Sequence, residues 1–562
     1  MDLSIGKSRW LRVSTLLAAA AVLASACGTT PSGTGETPKN GGTLTWALDA
    51  DAQSLNPFVA GDVPSFRALS PMLVNLYQPD KNLNVVPDLA DGMPQISSDH
   101  LIWTVKIRKN AKWSDGSPIT ADDVVATVKL QADPNLDTDL GYDWGKLDKV
   151  EKVDTTTVKF TLKEPFAPFL ANNLATYVAP AAVYGKVDAA KQRDQPFSSA
   201  PTVTGGPYKF DKWTPGQEID YVANPNYFGG RPHFDKIVAK VITDATASTN
   251  ASINGDVQWN PAIADAGAGG VQKVTAASNL INHSYADLGY IDVRMNDRPG
   301  HPFGDVLVRR AFATALDKNS IVQAAKGGTG VPLWGDIVPA SWAYDESSAV
   351  KYTQDVSKAK QLMQQAGWTI GSDGIATKGG KKFVAKLRVR AGKPDRLKAA
   401  EIISDQVKAI GMQLTPDPVD FKVFYKPVMD GTYDVAIAGF GLTLDPDDFT
   451  IMHSSQLQPE HKQGQNWTGY SNPQLDSLID QERSTLKDTD AATKAARKPI
   501  FNQIQKILGT DVVTYFLWAD KATMTWSNNV GGVVAGNGDN VIYVDQARNT
   551  EVFAQWYSKS GK

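Results

Sequence analysis

The side chains that could perform chemistry in this chain are spaced for holding a ligand rather than for breaking bonds. Six histidines (His100, His233, His283, His301, His453 and His461) show no His-Glu-x-x-His spacing. The single cysteine, Cys27, excludes a cysteine-built metal site. There is no Gly-x-x-x-x-Gly-Lys-Ser/Thr loop to cradle phosphates and no Gly-x-Ser-x-Gly elbow to present a nucleophile. Neither a metal nor a cofactor is implied, and no catalytic residue is assigned. Acidic residues are numerous enough to contain a glycosidase-type carboxylate pair, so a secreted hydrolase stands as the reading from another class, beside a surface receptor. The aromatic content points elsewhere. Among 14 tryptophans, Trp144, Trp259, Trp334, Trp342 and Trp467 lie in loop-like contexts, where a ring can stack on a sugar face or sandwich an apolar side chain. For any single Trp, burial in a core is the commoner fate.

Strands and helices must position these rings, and the pattern predicts both, intermingled. In Leu101–Arg108 the residues Trp103, Val105 and Ile107 share one strand face, and Val158, Phe160 and Leu162 alternate likewise. Thr120-Ala121-Asp122-Asp123 reads as an N-cap with an acidic first turn. Val308, Ala311, Phe312, Ala315, Leu316 and Val322 fall at helical spacing, as do Val356, Ala359, Met363 and Ala366 before Gly367. Asn472-Pro473 opens another helix, and Ile500, Phe501, Ile504, Ile507 and Leu508 form one that Gly509 is expected to stop. Trp113-Ser114-Asp115-Gly116 has the composition of a tight turn. These elements define a mixed α/β chain with more than one lobe.

Length and charge narrow the class. A chain of 562 residues exceeds one ordinary domain, and 57 bases against 60 acids give no electrostatic support for nucleic-acid binding. Lys7, Arg9 and Arg12 precede an apolar run from Val13 to Ala26, too short for a comfortable membrane span but suited to a signal-peptide core. Leu23-Ala24-Ser25-Ala26-Cys27 resembles a bacterial lipobox, with Ala24 at the place where Leu is preferred. Residues 1–26 are thus expected to be cleaved and Cys27 to carry lipid. Residues 27–42, rich in Gly, Thr, Pro and Ser, read as a tether to the membrane. No disulfide can then form, so stability must come from core burial.

A collinear set of motifs carries a family resemblance. Asn75-Leu76-Tyr77, Pro87-Asp88-Leu89-Ala90, Lys112-Trp113-Ser114-Asp115-Gly116 and Ile119–Val124 are followed by Gly205–Phe210 and Asn226–Pro232. Asn296, Pro302-Phe303, Val308–Phe312, Ala315-Leu316-Asp317, Tyr433-Asp434, Asp445-Pro446 and Gly469–Pro473 complete the series. Together they resemble the peptide/nickel/oligopeptide class of extracytoplasmic solute-binding proteins that serve ABC transporters. The resemblance implies a periplasmic-binding-protein type II-like fold of two lobes, with a hinge and an additional inserted domain. Domain I would comprise 41–72, 203–288 and 516–562, domain II 73–202 and domain III 289–515. A monomer would close on a peptide, or alternatively an oligosaccharide, and deliver it to permease and ATPase subunits.

The resemblance also nominates a site. Gly439-Phe440-Gly441-Leu442-Thr443-Leu444-Asp445-Pro446 is similar to the segment in which peptide-binding relatives carry a Trp and an Asp that pairs with the peptide ammonium. Here Phe440 replaces the Trp and Thr443 the Asp, in a loop one residue shorter; either Asp445 assumes the role or no free amino terminus is clamped. Asp445 could instead cap the helix near Pro446. Trp467 and Tyr470 follow this segment, and Tyr142 and Trp144 lie where relatives place a cleft residue. Arg396 lies near the relatives' carboxylate-binding Arg, one or two positions out of register.

Overall fold

Near-continuous buried runs in the central strands build one long sheet through the described residues. The computed structural model describes residues 38–80, 82–138, 143–263, 267–461, 464–533 and 552–561; Cys27, the proposed signal segment and Tyr142 lie outside them. In chain order the sheet's strands are β1 (Thr43–Leu48), β2 (Tyr208–Thr214), β3 (Glu218–Ala223), β4 (Lys236–Val241), β5 (Trp259–Asn260) and β6 (Leu280–Met295). They continue with β7 (Gly330–Pro332), β8 (Val384–Arg390), β9 (Gln413–Val419), β10 (Val435–Gly441) and β11 (Thr514–Ser527). Across the sheet the order is β2-β3-β4-β1-β5-β11-β6-β10-β8-β9, with β7 also on β11. β1 runs parallel to β4 and β5, and β8 parallel to β9 and β10. The central pair β6 and β11 is antiparallel, and its register shifts between Ala286 and Tyr290.

Each end of the sheet has its own apolar filling. Around β1, Trp46 stacks on Trp259 with ring centroids 4.6 Å apart, and Tyr208, Tyr221 and Trp556 close the cluster. Trp259, in a loop-like context in the sequence, is therefore core. A second cluster spans Val74 to Val178 and covers a separate four-stranded sheet that contains Ile102–Lys106 and Thr157–Leu162. Trp103, Val105, Ile107, Val158, Phe160 and Leu162 are all buried there, as their alternation predicts. The other half of the long sheet carries one cluster on each face, one centred on Phe303, Phe312 and Ile403, the other on Phe440, Phe501 and Ile504.

Several helix ends follow local chemistry, and the stripe from Val308 to Val322 divides into two helices because Asp317 caps Lys318–Lys326. Thr120 and Asp123 form a capping box on Ala121–Gln131, and Asn472 accepts from Gln474 N at 2.9 Å to start Pro473–Ser484. The Trp113–Gly116 turn closes with Asp115 Oδ1 accepting from Ser117 N at 2.9 Å, while Gly116 adopts φ 89°. Gly509 does not stop its helix, which runs Asp490–Asp511. Val350 packs where a side chain at 509 would stand. The C-terminal carbonyls of Asp511 and Val512 instead accept from Arg309 Nε at 3.0 and 3.1 Å, so Arg309, buried, acts as a helix cap.

Candidate ligand-binding site

Strand β10 delivers Gly439 and Phe440 opposite Ile291 and Tyr290 of β6. Gly439 lets neighbouring side chains close over the strand, since a Cβ there would lie 2.6 Å from Ile291 Cδ1 and 3.2 Å from Arg396 Nη2. Arg396 is brought to this point by the first turn of the helix Pro394–Val407. Its Nε is buried without a hydrogen-bond partner. The preceding turn faces the β1 end of the sheet: Lys393 acts on Asp49, whose carboxylate accepts from Arg67 Nη1 at 2.6 Å. Burial pushes the Asp49 carboxyl upward, but Arg67 and then Lys393 outweigh it and hold the pKa below the ordinary 3.8.

Phe440 meets Trp467 with ring centroids 4.7 Å apart, and Tyr425 approaches Trp467 edge-on at 5.6 Å. Behind this wall lies Arg294, with its guanidinium 3.9 Å from the Phe440 ring centre and 5.4 Å from that of Trp467. Arg294 is fully buried, pairs with Asp292 at 3.1 Å, and leaves Nη1 without a hydrogen-bond partner. Asp292 accepts from Thr514 Oγ1 at 2.8 Å; burial raises its pKa against the pull of Arg294. The arrangement brings the largely buried rings of Phe440 and Trp467 together, with the Arg294 guanidinium packed behind them.

Trp467 is held by residues the sequence reading missed. Arg298 donates from Nη1 to the Trp467 carbonyl at 3.0 Å and from Nη2 to the Gln458 carbonyl. Gly469, at φ 79°, leaves space for that guanidinium, since a Cβ there would lie 2.4 Å from Arg298 Cγ. Asn466 Nδ2 donates to the Tyr470 carbonyl at 3.0 Å. The signal available in sequence was Arg298 itself, two residues beyond Asn296.

The nominated residues thus separate. Gly439, Phe440, Trp467 and Arg396 converge. Thr443 is exposed on the following loop, and its Oγ1 donates to the Asp445 carbonyl at 2.6 Å. Three others are committed elsewhere. Asp445 takes both Nη groups of Arg497, at 2.5 and 2.6 Å, in a buried cluster with Glu482, and it does not cap the helix that follows. Tyr470 donates to Asp511 Oδ2 at 2.6 Å. Trp144 packs edge-on against Phe169 in the Val74–Val178 core, because that core accepts its ring and turns its neighbour Asp143 outward. Among the described residues no cluster could hold a metal ion, and no helix is long and apolar enough to cross a membrane.

Residues 84–459 match the model of the bacterial extracellular solute-binding proteins, family 5, middle region. The oligopeptide-binding protein AppA of Bacillus subtilis is 30% identical over 501 residues, covering 88% of this chain and 89% of that protein. Its structure with a nonapeptide superposes with a TM-score of 0.81 at 28% identity, over 93% of this chain and 100% of the other. NikZ from Campylobacter jejuni, solved with Ni(L-His), shares the fold at a TM-score of 0.80 and 22% identity, over 92% of this chain and 99% of that one. The mixed α/β architecture expected from sequence is therefore that of the periplasmic binding proteins, and the chain belongs to the bacterial extracellular solute-binding proteins of family 5.

Proposed function

We propose that this chain is the extracytoplasmic binding component of an ABC importer and that its ligand is a peptide. The observation that carries the reading is the Phe440–Trp467 wall with the partnerless Arg396 Nε beside it. In this reading the rings take an apolar side chain and Arg396 receives an anionic group, while Thr443 and Asp445 leave the peptide ammonium unclamped. Asp445 is neutralised by Arg497 and has no free oxygen to offer. The similarity to AppA, which is solved with a nonapeptide, supports the peptide class. The paired rings of Phe440 and Trp467, with no carboxylate free to clamp an ammonium, support an oligosaccharide as the second reading.

The proposed body has lobe I at 41–72, 203–288 and 516–562, lobe III at 289–515 and the insertion at 73–202. The lobes close as a monomer, and the ligand supplies the free energy that favours closure. Lipid on Cys27 keeps the protein at the outer face of the cell membrane, where permease and ATPase subunits receive the cargo.

Calorimetry with a random nonapeptide pool, the same pool acetylated at its amino ends, and an oligosaccharide pool tests the ligand. Both peptide pools are expected to bind alike; loss of binding on acetylation sinks the unclamped-ammonium reading, and preference for sugar sinks the peptide. Trp467→Ala is expected to weaken peptide binding by about 1–3 kcal/mol. For the anchor, Cys27→Ala should move the protein from the membrane fraction into the medium.

A further inference from the structure

The helix Pro473–Ser484 ends on a side chain that the ligand site does not use. Arg483 is 2% exposed, and its guanidinium lies 3.8 Å from the centre of the Phe449 ring and 4.8 Å from that of Phe166. It pairs with Asp143 and, at 3.2 Å through Nε, with Asp447. Its own carbonyl accepts from Ala167 N at 2.7 Å. These partners come from two places. Asp447 and Phe449 sit on the loop and short helix that follow Phe440. Asp143, Phe166 and Ala167 belong to the Val74–Val178 stretch, where Asn173 Nδ2 fixes Asp143 by donating to its carbonyl at 2.8 Å.

Packing around Arg483 crosses the same boundary in both directions. Leu486, just beyond the helix, packs on the Val74–Val178 core, while Leu83, Val85 and Ala171 pack on the core that contains Phe440 and Trp467. We propose that Arg483 is a positioning residue for ligand capture: it ties the loop behind Phe440 to the 143–170 stretch and sets how readily the two separate. The proposal rests on the ligand-site reading above, but its test needs no ligand. The chemistry suits a separable contact. Asp447 is buried, with an exposure of 8%, and burial raises its pKa against Arg483's pull. Asp143 is 27% exposed and regains water at little cost when the contact opens, leaving Arg483 still paired to Asp447. A planar fork can span two carboxylates while stacking between two rings; a lysine ammonium cannot.

Hydrogen exchange on the full-length protein, without ligand, tests this through the Ala167 amide. Arg483→Lys and Asp143→Asn are each expected to speed exchange at Ala167 by about tenfold or more while amides of 474–482 keep their rates. The double variant should exchange no faster than the faster single, as for two halves of one contact. Wild-type exchange at Ala167 in Asp143→Asn, or effects that multiply in the double variant, would overturn the proposal. If Arg483→Lys loosens the helix itself, Asp143→Asn, whose side chain lies at the solvent edge, still decides. Failure of every peptide pool in calorimetry would remove the ligand reading and leave this result standing.

Discussion

Arg294 and Arg497 are both sealed from solvent within the same half of the long sheet, yet their surroundings differ. Arg497 is saturated: Asp445 takes both Nη groups, and Glu482 accepts from Nε at 3.0 Å. Arg294 has one carboxylate, a long 3.4 Å contact to Tyr290 Oη, and an Nη1 with no acceptor. A buried cation with a full partner set fastens loops, in this case the one after Phe440 to the helices Pro473–Ser484 and Asp490–Asp511. A buried cation with a partial set is retained at a cost to stability, and such costs concentrate at binding sites. The aromatic wall stands in front of the second kind.

The contrast can be broken by stability measurements. Arg497→Met leaves two buried carboxylates facing one another and should cost about 3–5 kcal/mol in urea unfolding. Adding Asp445→Asn and Glu482→Gln should return much of that loss; no recovery would mean that packing, not charge, explains the cluster. Arg294→Met should cost less, about 1–3 kcal/mol, because Asp292 retains the Thr514 donor and can take up a proton. An equal or larger loss than for Arg497→Met would erase the distinction. The smallest effect is expected across the fold, at Arg67 and Asp49. The Asp49 carboxyl is held below 3.8 in the folded protein, so its stabilisation is present above pH 3.8 and fades as pH falls through the folded value. Asp49→Asn should therefore cost about 0.5–1.5 kcal/mol at pH 6. The gap to the wild type should close in acid; a constant gap would show that the charge is not responsible.

What the sequence made legible was local. The capping box at Thr120, the alternation around Trp103 and the helical stripe through Phe312 each depend on neighbours within a turn or a strand, so spacing alone reveals them. Trp467 was legible as an aromatic in loop-like company, and Phe440 through the resemblance, standing where relatives carry a Trp. Arg294 was not, because between Val293 and Met295 it reads as one polar position in a strand, and only the fold shows that the face it occupies is aromatic. Asp445 could not be assigned without Arg497, 52 residues away. Around Tyr142 and Trp144 the sequence points to rings, whereas in the fold the Trp144 ring enters a core and the carboxylate of its neighbour Asp143 reaches out to Arg483. Gly509 carries the signature of a helix stop, which the tertiary contact with Val350 overrides.

The interruption between β6 and β11 has a mechanical meaning. Asp287, Leu288 and Gly289 stand opposite Asp520 alone, so the ladder linking the two ends of the sheet skips at that point and resumes on either side. Three residues against one form a bulge, where a strand bends and its local twist increases. The bend falls at the middle of the sheet, much as a zip turns a corner where its two rows of teeth differ in number, with regular pairing on either side.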